Sequence, residues 1–143
     1  MRAAPRRLSL LFVACTLGCS TLDPHPGALG LGDSFYPALG NGGYDVQHYD
    51  LDLTVDPEAN TLRGRATINA VATEALCALS LDLWALDVDS VWVNGVETAF
   101  HREEGELIVG LAPAVAPGRS VQVVVDYSGI PEARPCRSVP FVP

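Results

Sequence analysis

At 143 residues the chain fits one domain, and about 100 residues remain for it once an N-terminal leader is set aside. Hydrophobic content is 48%, with 13 Gly, 11 Pro and a methionine only at position 1, a mixture that favours short strands and turns over long helices. The formal net charge is −8 and every basic side chain is an arginine. Losing Arg2, Arg6 and Arg7 with a leader would make the body more acidic still. Such a surface repels phosphate backbones, so nucleic acid is excluded from the expected partners.

Residues 1–19, MRAAPRRLSLLFVACTLGC, have the layout of a secretory signal. Three arginines precede the apolar run LSLLFVACTLG, which is too short for a permanent span of roughly 20 residues. A small residue precedes a cysteine twice, at Ala14-Cys15 and Gly18-Cys19. This resembles a lipoprotein signal, in which the thiol is acylated. Cys19 is the preferred site, because Cys15 would leave a shorter apolar run. An ordinary cleaved signal without lipid stays open beside it. Either way the body is expected to be exported to the periplasm or cell surface, and with the lipid it would be anchored to a membrane.

Residues 20–43 are rich in Gly and Pro and lack apolar periodicity, so they read as a tether and lead-in. Gly32-Asp33-Ser34 matches the opening of one serine esterase block. Such an enzyme needs an Asp-x-x-His pair near its C-terminus, and the one in this chain, Asp45-Val46-Gln47-His48, follows Ser34 by only a few residues, so a local turn is the reading.

From Tyr44 a period of two sets in. Tyr49, Leu51, Leu53 and Val55 alternate with Asp50, Asp52 and Thr54, the pattern of a half-buried strand. Asp56 to Asn60 makes a turn. The return strand alternates Leu62, Gly64, Ala66, Ile68 and Ala70 with Arg63, Arg65, Thr67 and Asn69. Its arginines are expected to face Asp50 and Asp52 across the ladder, which makes those aspartates ladder partners before metal ligands. Leu79, Leu81 and Leu83 mark a third strand, and Leu86 to Val93 a fourth. Asn94-Gly95 is a hairpin turn, since both residues tolerate the positive φ it needs, with Val96 to Phe100 returning. Glu103-Glu104-Gly105 turns into Glu106 to Val109, Pro113 to Gly118 is a loop, and Arg119 to Tyr127 closes the set. These seven or eight strands, with turns every 8–12 residues, predict an all-β domain over 44–128, a β-sandwich or saddle-like antiparallel sheet. Residues 129–143 carry prolines without periodicity and read as an irregular tail.

Little in the chain suggests chemistry of its own. His25, His48 and His101 are not at metal-ligand spacing, and His101-Arg102-Glu103-Glu104 reads as a solvated turn. No catalytic and no metal-binding residue is assigned. Cys77 and Cys136 could pair as a disulfide in an oxidising compartment, though their separation alone leaves that open. Trp84 and Trp92 read as packing anchors.

Four segments in order resemble the N-terminal β-domain of the aminopeptidase N family of zinc metallopeptidases (gluzincins). They are Tyr44-x-x-x-x-Tyr49-x-Leu51-x-Leu53, Leu62-x-Gly64-x-Ala66-x-Ile68, Leu79 to Leu83, and Asp126-Tyr127-Ser128-Gly129. They lie within residues 31–130, about two thirds of the chain. The resemblance implies a β-domain that packs against a catalytic domain and helps wall a substrate cavity. In that family the catalytic domain carries zinc on HExxH and a downstream Glu, and Gly-x-Met-Glu-Asn binds the substrate amine. None of these motifs occurs here, so no cofactor is assigned to this chain, and alone it is expected to be inactive. The tail departs from the family pattern, and the chain reads as a fragment that stops before the catalytic domain. The alternative is a standalone exported β-sandwich lipoprotein that binds a partner or glycan.

Overall fold

The structure is a computed structural model and describes residues 23–32, 34, 40–103 and 105–132. Nine strands form among these residues, and no helix. They are β1 (His25–Pro26), β2 (Tyr44–Asp56), β3 (Thr61–Ala72), β4 (Leu76–Asp82), β5 (Asp87–Val93), β6 (Val96–Glu97), β7 (Phe100–Glu103), β8 (Glu106–Val115) and β9 (Ser120–Gly129). Two sheets result, in the orders β1-β4-β8-β7 and β2-β3-β9-β5-β6, so the expected β-sandwich is what forms. All pairings are antiparallel except β1 with β4.

The alternation seen in sequence decides which side of each strand enters the core. Ile68, Ala70 and Ala72 of β3, Val91 of β5, and Val121, Val123 and Val125 of β9 point inward from the five-stranded sheet. Leu76 and Leu79 of β4 and Leu107, Val109 and Leu111 of β8 meet them from the other sheet. Truncating a fully buried leucine such as Leu79 would cost about 2–5 kcal/mol, from the lost transfer term and the cavity it leaves.

The β5–β6 turn forms as expected, with φ of 50° at Asn94 and 80° at Gly95. The return after it differs from the expected single strand. Thr98 still donates to the Val91 carbonyl of β5 (2.9 Å), whereas the Ala99 carbonyl accepts from Gly110 of β8 (3.2 Å). The chain therefore changes sheets between these two residues, and Val96 to Phe100 splits into β6 and the start of β7. The expected loop from Pro113 also starts later, because β8 runs on to Val115. Part of the 20–43 stretch is bound to the four-stranded sheet: His25 N–H donates to the Ala75 carbonyl (3.1 Å) and Gly27 N–H to that of Ala78 (3.0 Å).

Candidate functional site

The feature that departs from a closed sandwich is the far end of the β2–β3 hairpin. Tyr44 and Val46 face inward, then the register slips between Val46 and His48 and resumes with Tyr49 opposite Ile68. This bulge at Gln47 keeps apolar side chains on the inner side as their spacing changes from even to odd positions. Beyond it Leu51 lies opposite Ala66, Leu53 opposite Gly64 and Val55 opposite Leu62. The half-buried strand expected here is not what the structure shows. Tyr49, Leu51, Leu53 and Val55 are 53%, 54%, 48% and 61% exposed, because the four-stranded sheet does not reach them.

The floor of this open end depends on Gly64. A Cβ there would stand 2.5 Å from Cζ of Tyr127, whose ring lies directly over the glycine. Only a residue without a side chain admits the ring. Partial burial pushes the Tyr127 hydroxyl above the usual tyrosine range. Where the sheets part, Tyr49, Leu51, Ala66, Leu83, Val125 and Tyr127 help line a cleft of about 500 Å³.

Polar groups close the rim of the cleft. The Tyr44 hydroxyl donates to the Ser80 carbonyl at 2.6 Å. Burial, with Tyr49, Asp82 and Glu106 nearby, drives its ionisation far above the ordinary value. Gly40 N–H donates to Asp82 Oδ2 (3.2 Å), and the Asn41 amide fits between Glu106 Oε2 and the Asp82 N–H, both at 3.2 Å. The cleft can thus seat an apolar surface. The bonds at its rim tie the lead-in and Tyr44 to β4 and β8.

The opposite face of the same sheet is polar. Arg65 donates two hydrogen bonds to Asp126, at 2.6 and 2.7 Å, and its guanidinium stands 5.5 Å from the Trp92 ring centroid. Those bonds hold the Asp126 carboxyl below the usual carboxylate range, against the opposing effect of partial burial. The expected partner of Arg65 was an aspartate of β2, and Asp52 is its register neighbour there. Asp126, the register neighbour on β9, takes the arginine instead, with Ser90 Oγ donating to the same carboxylate at 3.3 Å.

The remaining sequence candidates are scattered. His25, His48 and His101 lie on β1, β2 and β7, three edge strands of the two sheets. His25 Nε2 is 3.2 Å from Glu74, a partner the sequence did not suggest. Ser34 is an exposed bend residue and Asp33 lies outside the described residues. Cys77 is half-buried on β4, while its proposed partner Cys136, and Cys15 and Cys19, lie outside the described residues. Arg102, read as solvated, instead donates to the Leu83 and Leu86 carbonyls at 2.6 and 2.5 Å and braces the loop between β4 and β5.

Comparison with known proteins identifies the domain. An all-β sandwich with one uncovered apolar end defines the class, and solved structures supply the particular match. The M1 zinc metallopeptidase of Deinococcus radiodurans, as a point mutant bound to a Tyr-Ser-Ala substrate, is 34% identical with a TM-score of 0.68. The match covers 74% of this chain and 25% of that one. The same enzyme without the mutation is 35% identical with a TM-score of 0.67, over 72% of this chain and 24% of that one. A two-domain M1 zinc metallopeptidase mutant bound to L-arginine is 34% identical with a TM-score of 0.68, over 73% and 24%. The chain thus spans about a quarter of the length of the structures it matches. No protein-family model matches it, and no curated protein does. The sandwich is a peptidase-related domain that resembles part of the M1 zinc metallopeptidases, as the four sequence segments implied. Among the described residues no three of His, Cys, Asp or Glu are grouped to hold a metal.

Proposed function

We propose that this sandwich is the N-terminal structural domain of an aminopeptidase-type zinc metallopeptidase. Its apolar end packs against the catalytic domain of that enzyme and helps wall the substrate cavity. The observation that carries this reading is the row Tyr49, Leu51, Leu53 and Val55, left exposed in a domain otherwise matched to zinc peptidases. A monomer exposes contiguous apolar surface at a cost in solubility, so such a row fits a surface that another domain covers. Export and a lipid anchor at Cys19 complete the proposal. They rest on the leader pattern, and Cys19→Ala should abolish fatty-acid labelling.

Alone, the 143-residue chain neither holds catalytic zinc nor cleaves peptides. The test is to purify it, dialyse it against zinc, and assay bound metal and the hydrolysis of aminoacyl-p-nitroanilides. Expected are substoichiometric zinc and no turnover above buffer. Stoichiometric zinc with turnover that follows the protein through purification would overturn the reading. Translating the DNA beyond codon 143 in three frames tests the parent enzyme separately, since the proposal expects HExxH and Gly-x-Met-Glu-Asn there.

A further inference from the structure

The polar face of the five-stranded sheet carries a line of side chains used neither by the core nor by the proposed docking. Asn69 of β3 stands in register with Gln122 of β9 on one side and His48 of β2 on the other. Asn94, at the β5–β6 turn, faces Gln122 from the far side: its N–H donates to the Gln122 carbonyl and its Oδ1 accepts from the Gln122 N–H, both at 2.9 Å. Gln122 Nε2 in turn donates to Asn69 Oδ1 at 3.0 Å. Asn94, Gln122 and Asn69, with Gln47 and Ser120, line a shallow depression of about 340 Å³.

These bonds hold the amides in place and use half of each. Among the described residues Asn69 Nδ2, Gln122 Oε1 and Asn94 Nδ2 take no further bond, on one half-buried and two exposed residues, so donors and acceptors alternate along the line. Vicinal sugar hydroxyls, each both donor and acceptor, complement such a pattern. Neighbouring strands are about 4.8 Å apart, close to the length of one pyranose unit, so a linear glycan lying across the strands meets one polar side chain per sugar. The net charge of −8 works against anionic polymers. A protein partner would need a large central apolar or aromatic anchor, whereas the apolar residues lining the depression are the small Ala70, Val71 and Val121. Trp92 lies nearby on the same face, opposite Val124, but Arg65 stands over its ring.

We propose that this amide line is a binding site for a neutral linear glycan laid across β5, β9, β3 and β2. The site does not rest on the peptidase reading, because it occupies the opposite side of the sheet from the apolar row. The test titrates the purified chain with cellohexaose and with chitohexaose by calorimetry and by amide NMR. Expected is saturable binding of at least one of them, insensitive to high salt, with shifts at the side-chain amides of Asn69 and Gln122. Replacing both residues (Asn69→Ala with Gln122→Ala) should weaken binding about tenfold or more. If that double variant does not fold, the shift map of the unmutated chain decides. Binding of neither sugar overturns the proposal, as do shifts centred on Tyr49 and Leu51, or binding confined to an anionic polymer such as heparin.

Discussion

Replacing Gly64 by alanine tests the open end of the sandwich at one atom. The added Cβ would stand 2.5, 2.6 and 2.7 Å from Cζ, Oη and Cε2 of Tyr127, against an optimum near 3.5–4.0 Å for carbon contacts. The ring must therefore retreat by about 1 Å from the floor it covers. Overpacking of this kind costs about 1–3 kcal/mol. Restricting the unfolded chain by Gly→Ala returns about 0.4–1 kcal/mol, since φ at residue 64 is not among the positive values. The net loss is about 1 kcal/mol, read as a Tm roughly 4–8 °C lower in a domain of this size. The assay is urea and thermal unfolding of four proteins: wild type, Gly64→Ala, Tyr127→Ala and the double variant. Without the ring, Gly64→Ala should become neutral or stabilising. An equal penalty in both backgrounds would refute the argument, because the ring would then not be what the glycine accommodates.

Three further outcomes follow from burial and charge. Leu79→Ala should destabilise by about 2–5 kcal/mol, whereas Leu53→Ser should stay within about 0.5 kcal/mol and raise solubility, both read from urea midpoints. The Asp126 carboxyl is depressed in the folded state, so its contribution is present above the unfolded value near 3.9 and is lost as pH falls through the folded value. The Tm gap between wild type and Asp126→Asn should therefore be open at neutral pH and close under strong acid; a gap that widens on acidification would count against the Arg65 pairing. The Tyr44 phenol is raised on folding, so its contribution is complete below the unfolded value near 10 and falls as pH climbs from there. Tyr44→Phe should cost about 1 kcal/mol at neutral pH through the lost bond to the Ser80 carbonyl, and should flatten the alkaline decline in stability.

Local chemistry was legible in the sequence, and long-range neighbours were not. The Asn94-Gly95 turn could be read because two adjacent residues set its backbone. The β2–β3 hairpin could be read because the two strands follow each other. Alternation along β2 told which residues share a side, but not whether a second sheet would reach that side, so Tyr49 to Val55 were expected to be half-buried. Arg65 shows the same limit. β3 is flanked by β2 and β9, and only the first is its neighbour in sequence, so Asp52 was visible as a partner and Asp126 was not. The sheet change between Thr98 and Ala99 leaves no mark in a two-residue period, since both segments alternate alike. The bulge at Gln47 did leave one. Apolar spacing runs 44, 46, then 49, 51, and a three-residue step within a strand marks one extra residue.

The uncovered apolar row is consistent with a folded, soluble chain because its two sides are handled differently. From Tyr49 to Val55 the strand runs about 20 Å, and the exposure is confined to β2, since Gly64 of β3 and Val125 of β9 are buried. β2 is also an edge strand, paired among the described residues only with β3. A flat edge next to an apolar face invites pairing with a second copy, and Asp50 and Asp52 on its outer side oppose that, since antiparallel self-pairing would bring like carboxylates together. Arg65 gives its hydrogen bonds to Asp126 and acts on Asp52, its register neighbour, through charge alone. The edge therefore discourages self-association while the face stays open. This fits the docking proposed above, in which a covering domain meets the apolar row face-on and has no need to pair with the β2 edge.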